Sequence, residues 1–236
     1  MNKTIQLFLL FLMGAASVEA QTITPYAGVT LSSNNVDLTA DGVDFKVKPR
    51  VGFTVGANYE YQMGILGKGI FSVVGGIGFV QKGVTSDATV ILDSEGEWHL
   101  DLYAEENYTI NYLEVPVMAK YELGSDKLRY HFFAGPSIAY GLGGKYKANL
   151  SYNDEFYEPE TVKGDIRFGN EPSENENDMY FDNRIDVGLQ VGGGVNIHNK
   201  LSVDLKYGFG LSDLMDDTTS KNRAWQLTIG VPLALK

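Results

Sequence analysis

The chain has no cysteine, only three histidines and fewer basic than acidic residues: 19 Lys and Arg stand against 30 Asp and Glu, for a net charge of −11 over 236 residues. The lack of cysteine excludes disulfides, thiolate metal sites, cysteine nucleophiles and lipid anchoring through an N-terminal cysteine. The excess of acidic residues argues against a nucleic-acid-binding protein, which would have a basic surface. After the first twenty residues, no apolar run approaches the roughly 20 residues that a membrane-spanning helix needs.

The first twenty residues have the layout of an export signal. Lys3 supplies a positive charge, residues 5–16 form an apolar run interrupted by Gln6, and residues 17–20 (SVEA) end in a small residue that a signal peptidase accepts. We therefore predict a signal peptide over 1–20 and a mature domain over 21–236, exported from the cytoplasm.

Glycine and aromatic residues are abundant, with 27 Gly, 14 Tyr and 12 Phe, and they favour strands over helices. Eight stretches alternate apolar with small or polar residues at the period of a β-strand. They are residues 22–31, 50–61, 69–82, 108–123, 128–143, 182–197, 200–211 and 224–236.

The connections between these stretches alternate in length: long, short, long, short, long, short, long. This is the rhythm of outer-membrane barrels, which have extended external loops and tight periplasmic turns. The sequence predicts an all-β fold, an eight-stranded antiparallel transmembrane up-and-down β-barrel with four long external loops. The long connections are acidic, and residues 170–178 (NEPSENEND) contain no apolar residue.

Two all-β architectures fit the alternation: a soluble lipocalin-like barrel with its apolar face inside, and a membrane barrel with its apolar face outside. The polar faces are rich in Gly, Ala, Ser and Thr rather than in the Lys and Glu of solvated strands, and aromatic residues cluster near strand ends. Both features favour the membrane barrel. In the last strand the residues predicted to face lipid are Trp225, Leu227, Ile229, Val231, Leu233 and Leu235. Pro232, which cannot donate to a ladder, is expected at a bulge or near the periplasmic end.

The opposite faces then carry ionisable residues into the lumen, where charges persist only when they are paired. Acids and bases are nearly matched in number, so we predict a polar network that plugs the barrel. Its predicted members are Arg50, Glu60, Lys82, Glu114, Lys120, Glu122, His131, Arg184, Asp186, Asp204 and Lys206. Eight strands are too few for a water-filled porin channel.

The sequence offers only weak matches to motifs for phosphate binding, catalysis or metal binding. The glycine-rich run 141–146 departs from the phosphate-loop pattern, because Tyr146 stands where Ser or Thr would bind magnesium. His99, His131 and His198 are predicted at different heights, so no Ser/His/acid set is assembled from spacing. The acidic residues around His99 do not match a calcium loop. We expect no catalytic residues, no metal and no cofactor.

A resemblance becomes specific in the fourth and fifth strands. The segment "NYLEVPVMAKYEL" (111–123), with Tyr112, Leu113, Glu114, Val115 and Pro116, is followed by "FFAGPSIAYGLGGK" (132–145), with Gly135 and Pro136. This pattern resembles the PorT-like outer-membrane barrels of the Bacteroidetes. The resemblance implies an outer-membrane, eight-stranded barrel, and most members have no assigned activity. The chain departs from many outer-membrane barrels in ending on Leu235-Lys236 rather than on an aromatic residue.

The sequence thus predicts a non-enzymatic protein of a Gram-negative outer membrane that presents acidic external loops or serves as an accessory subunit of an envelope complex. Its expected partners are outer-membrane lipid and lipopolysaccharide, the barrel-assembly machinery and an envelope protein, with no nucleic acid. Three alternatives stay open at this point: a narrow ion or small-solute channel of porin-like type, an outer-membrane enzyme, and a soluble lipocalin-like binder.

Overall fold

A computed structural model describes residues 21–36, 43–94, 98–152, 158–169, 175–215 and 220–235. The predicted signal peptide 1–20 lies outside the described residues, as do Glu95, Glu97, Asp216 and Asp217 and residues 170–174 of the predicted acidic loops. Among the residues described, no helix is long and apolar enough to cross a membrane.

Within the described ranges, eleven strands form one sheet. They are β1 (Gln21–Val36), β2 (Val43–Leu66), β3 (Gly69–Ser94), β4 (Trp98–Ser125), β5 (Leu128–Tyr152), β6 (Glu160–Phe168), β7 (Met179–Phe181), β8 (Ile185–Ile197), β9 (Leu201–Gly210), β10 (Ser220–Gly230) and β11 (Leu233–Leu235).

Eight of these strands close into an antiparallel ring. The order is β1-β2-β3-β4-β5-β8-β9-β10, and β10 pairs back onto β1. The predicted eight-stranded barrel is therefore confirmed. β11 continues β10 along β1 after an interruption at Val231 and Pro232, where the Val231 amide donates to the Pro25 carbonyl at 3.0 Å. Pro232 accordingly sits where the ladder is broken, as the absence of its N–H requires.

One end of the ring, the turn end, has tight connections at 67–68, 126–127 and 198–200. His198 and Asn199 both have positive φ, 54° and 53°, as in the type I′ turns that suit the twist of paired strands. Both described termini lie at this end, because Gln21 pairs with Leu235.

The other end, the hairpin end, differs from the sequence prediction in its strand lengths. The sequence assigns residues 83–107 to a long connection, but alternation at 89–92 and 99–102 allows the hairpin to continue above the membrane. The connection is mostly strand, since β3 and β4 stay paired from Gly83–Thr109 up to Ser94–Trp98. Strands β2 and β5 extend with them, and β6 pairs with β5 from Gly144 upward, where β8 has ended. A sheet of β2–β6, here called the protruding sheet, therefore rises above the ring.

The side chains of the ring alternate between two environments. Along β10 every second residue is buried, including Gln226, which is 1 % exposed, and Thr228. The six residues predicted to face lipid point the other way and are exposed, at 41–56 %: Trp225, Leu227, Ile229, Val231, Leu233 and Leu235. The ring thus has an apolar outer band and a polar interior.

Candidate functional site

The centre of the ring contains an ionic cluster, here called the central cluster, of Lys82, Glu114, Asp186 and Lys206. The Lys82 Nζ lies 3.0 Å from an Asp186 carboxylate oxygen and 3.5 Å from a Glu114 oxygen, and the Lys206 Nζ lies 3.9 Å from the other Glu114 oxygen. All four residues are buried. Because two acids face two bases, the buried charges of the cluster are matched.

The register of three strands explains why the two acids meet. Glu114 of β4 and Asp186 of β8 are both paired with Ala139 of β5, whose small side chain leaves the space between them open. Asn222 donates to Asp186 at 2.8 Å, and its amide also lies 3.2 Å from the Tyr112 hydroxyl. Residues far apart in the chain are therefore brought together by inward alternation on neighbouring strands.

A second ionic cluster lies nearer the turn end. The Lys120 Nζ lies 2.8 Å from Glu60 and 3.2 Å from Glu122, and Arg129 donates to Glu122 at 3.0 Å. Arg129 also pairs with Asp126 in the adjacent turn. Arg129 was not among the predicted lumen residues, although a basic residue at the start of the predicted stretch 128–143 was a usable signal.

His131 contacts Asp204 across a glycine. His131 of β5 is paired with Gly194 of β8, which is paired in turn with Asp204 of β9. The imidazole Nε2 and an Asp204 oxygen are hydrogen-bonded, and the Ser202 hydroxyl donates to the same carboxylate at 3.0 Å. A Cβ at position 194 would lie 2.3 Å from Asp204 Oδ1, so this contact requires glycine.

Apolar side chains and small residues fill the rest of the lumen. Val74, Met118 and Phe133 form a buried group, and the Tyr26 hydroxyl occupies the space that Gly56 and Gly78 leave free. Two voids lie among the described lumen side chains, a cavity of about 50 Å³ near His131 and Lys206 and one of about 10 Å³ beside the central cluster. These voids hold at most a few water molecules, so the described lumen is a packed interior rather than an open pore.

An apolar cluster, here called the cap, covers the hairpin end of the lumen. It brings side chains of β4 and β5 together with Ile166, Phe168, Phe181 and Leu214 from the connections that follow β5 and β9, all of them buried. Phe181 packs between Tyr108 and Phe168, with ring centroids 5.8 and 6.4 Å apart.

The glycine-rich run explains how the cap fits. A Cβ on Gly141 would lie 2.3 Å from the Phe168 ring, and Gly143 has a φ of +110° at the point where β6 replaces β8 as the partner of β5. These glycines accommodate a ring and a bend, not a phosphate. Sequence reasoning missed the cap because it assigned Phe168 and Phe181 to a connecting loop.

Two residues of the predicted lumen network, Arg184 and Arg50, lie apart from the other nine. Arg184 lies at the hairpin end, where its guanidinium is 3.1 Å from the Tyr140 hydroxyl and stacks over Phe168 at 5.3 Å. Arg50 bonds Asn107 at 3.1 Å at the base of the protruding sheet. The other nine fall into three groups: the central cluster of Lys82, Glu114, Asp186 and Lys206; the second cluster with Glu60, Lys120 and Glu122; and the pair His131 and Asp204.

No group of three or more His, Asp or Glu side chains able to hold a metal ion occurs in the part of the chain that the structure describes. The side chain of His99 and the acidic residues around it lie outside the described side chains, so the structure does not bear on that predicted loop.

A closed antiparallel ring with an apolar outer band and a charged, filled interior is the architecture of an outer-membrane β-barrel. Residues 20–216 match the family described as Outer membrane protein beta-barrel domain, and the chain belongs to that family. Its location is therefore the outer membrane of a Gram-negative bacterium, where it contacts lipid and lipopolysaccharide. This location excludes the soluble lipocalin-like alternative.

Solved structures with a similar fold share little sequence. The attachment invasion locus protein Ail of Yersinia pestis, in complex with the heparin analogue sucrose octasulfate, is 15% identical, with 90% of this chain and 99% of that chain covered and a TM-score of 0.38. Neisserial surface protein A is 10% identical (90% and 99% covered, TM-score 0.36). OprG from Pseudomonas aeruginosa is 10% identical (91% and 96% covered, TM-score 0.32). No curated protein sequence matches this chain.

Proposed function

We propose that this protein is an outer-membrane barrel that displays the protruding sheet to partners at the cell surface. In this proposal the barrel neither conducts solutes nor catalyses a reaction. The observation that carries the proposal is the contrast between the two parts of the molecule. The lumen is closed by the central cluster and again by the cap, while strands β2–β6 extend well beyond the apolar band.

The protruding sheet has the dimensions and the edge of a recognition element. From Gly83 to Ser94, β3 adds roughly 35 Å of strand above the ring. Within the described residues, the upper part of β2 (Val43–Pro49) pairs with β3 alone, because its pairing with β1 ends at Ser32 and Arg50. A free strand edge offers backbone donors and acceptors that an extended segment of a partner can pair with.

A grouping of Ser202, His131 and Asp204 in the described lumen supports a structural role. Nucleophilic catalysis requires the histidine to take the serine proton, with the acid behind the histidine. Here the Ser202 hydroxyl donates to Asp204 instead, and His131 bonds the same carboxylate from the other side. His131 is also 2 % exposed, and the cavity of about 50 Å³ beside it holds no more than a few water molecules.

The subgroup of the protein, its export and its membrane insertion are part of the same proposal. We infer membership of the PorT-like subgroup from the "YLEVP" and "GPS" segments, export through residues 1–20, and insertion by the barrel-assembly machinery. The partners of the protruding sheet are expected to be envelope or surface proteins, with the protein acting alone or as an accessory subunit.

Site-specific photocrosslinking in intact cells tests the display function. A photoreactive residue replaces Tyr103 on the protruding sheet or, as the matched control, exposed Lys200 in the turn at the opposite end. The proposal expects a discrete crosslinked protein from position 103 in a variant that keeps the heat-modifiable gel mobility of a folded barrel. Crosslinks from position 200 alone would contradict it.

A narrow ion or solute channel is the second candidate, and the concentration of ionisable groups around the 50 Å³ cavity favours it. Conduction would require the central cluster and the cap to open together. Conductance in planar bilayers distinguishes this candidate from a closed barrel that displays the protruding sheet.

A further inference from the structure

Three lysines form a compact group on the outward face of the protruding sheet. Lys145 and Lys147 of β5 and Lys163 of β6, here called the lysine patch, are all exposed. Lys147 and Lys163 stand directly opposite each other in the β5–β6 ladder, while Lys145 is opposite Asp165 and forms an ion pair with it. The patch therefore has a net positive charge in a chain whose total is −11.

The cross-strand pair of lysines is unfavourable as it stands. Like charges directly opposite each other in a sheet repel, and neither Lys147 nor Lys163 has an ion-pair partner among the described residues. An anion bound between the two ammonium groups would remove the repulsion. The arrangement is thus suited to a ligand with concentrated negative charge.

The position of the patch indicates where that ligand lies. The apolar outward row of β5 ends with Leu142, which is 54 % exposed. Lys145 follows three residues later, roughly 10 Å along a tilted strand, so the patch begins within the headgroup layer of the outer leaflet. Because these side chains point sideways from the barrel, they face the leaflet rather than the medium.

The surface at the patch is concave. Lys145, Lys147, Lys163, Gly164, Asp165 and Asn175 surround a depression of about 400 Å³. Tyr146 also lines it. The Asp165 carboxylate, the one acid on its rim among the described residues, is engaged by Lys145.

We propose that the lysine patch binds the phosphate groups of lipid A, the membrane anchor of lipopolysaccharide. A lysine ammonium is a compact charge with three donors that suits phosphate. In the outer leaflet these phosphates lie just above the acyl chains, at the height of the patch. This site goes beyond the display function, and its test does not depend on any protein partner.

Binding to defined lipid tests the site. The full protein is folded into phosphatidylcholine nanodiscs that contain either diphosphoryl lipid A or lipid A with both phosphates removed, and retained lipid A is quantified after a chase with excess empty nanodiscs. The variant is Lys145→Gln, Lys147→Gln and Lys163→Gln together. The matched control is Lys68→Gln, Lys127→Gln and Lys200→Gln, three exposed lysines in the turns at the opposite end.

The proposal expects the patch variant to retain diphosphoryl lipid A roughly tenfold less well than the wild type, as three surface ion pairs would suggest. The control variant should match the wild type, and neither variant should change retention of the dephosphorylated lipid. Heat-modifiable mobility verifies that every variant is folded.

Equal retention by patch and control variants would overturn the proposal, as would an equal loss for both forms of lipid A. Millimolar inorganic phosphate is included as a competitor. If it displaces lipid A as effectively as soluble diphosphoryl lipid A does, the patch is a site for free anions and the assignment to lipid A is wrong.

Discussion

Replacing Lys82 by methionine tests the central cluster. The substitution removes the ammonium 3.0 Å from Asp186 and 3.5 Å from Glu114 and leaves a side chain of similar length. Asp186 keeps the Asn222 donor, and Glu114 keeps Lys206 at 3.9 Å, but the buried cluster now has two acids and one base. Breaking a buried ion pair from one side costs about 3–5 kcal/mol, and we expect a loss of this size in the free energy of unfolding.

The assay is reversible urea unfolding in lipid vesicles, followed by tryptophan fluorescence. Lys48→Met is the matched control, since Lys48 pairs with Asp87 on the exposed protruding sheet and should have a far smaller effect. The double variant Lys82→Met, Asp186→Asn should recover part of the loss, because it restores the balance of charge. Equal effects of Lys82→Met and Lys48→Met would refute the claim that the lumen is a closed, low-dielectric interior.

Three further predictions concern other parts of the fold. Ile229→Arg on the outer band should destabilise the vesicle-folded barrel by about 2–4 kcal/mol. Leu235→Arg, at the turn end, should destabilise it by only about 0–1 kcal/mol. Equal values for the two variants in urea titrations would show the assignment of faces to be wrong. Gly194→Ala should cost about 1–3 kcal/mol by the same assay, because its Cβ meets the Asp204 carboxylate, whereas Gly75→Ala, whose Cβ meets nothing within 4 Å, should be neutral. The hydrogen bond and charge of Asp87 raise the pKa of Lys48 above its ordinary value, so Asp87→Asn should lower that pKa in an NMR titration, and an unchanged pKa would refute the pair.

Period-two alternation was sufficient to predict the eight-stranded ring. Each strand of a membrane barrel contacts lipid on one side and the lumen on the other, so the pattern in residues 225–235 carries the necessary information by itself. The upper halves of β3 and β4 were harder to predict. Above the bilayer neither face is uniformly apolar, so the short alternations at 89–92 and 99–102 indicate that the hairpin continues but do not fix its bounds.

The lumen partners and the cap were beyond sequence reasoning for a different reason. The contact between His131 and Asp204 depends on Gly194 of the strand between them, and three-strand registers cannot be read from one chain segment at a time. The cap depends on Phe168 and Phe181, which lie in a long connection and pack only because Gly141 leaves room for a ring.

A barrel that is closed to solutes and acts through its external surface should not conduct ions. Single-channel recording in planar bilayers measures this for the wild-type protein and for the variants Glu114→Gln and Lys206→Gln. We expect no conductance steps from the wild-type protein. Reproducible wild-type steps whose size or ion selectivity changes in either variant would contradict it and would establish the narrow channel instead.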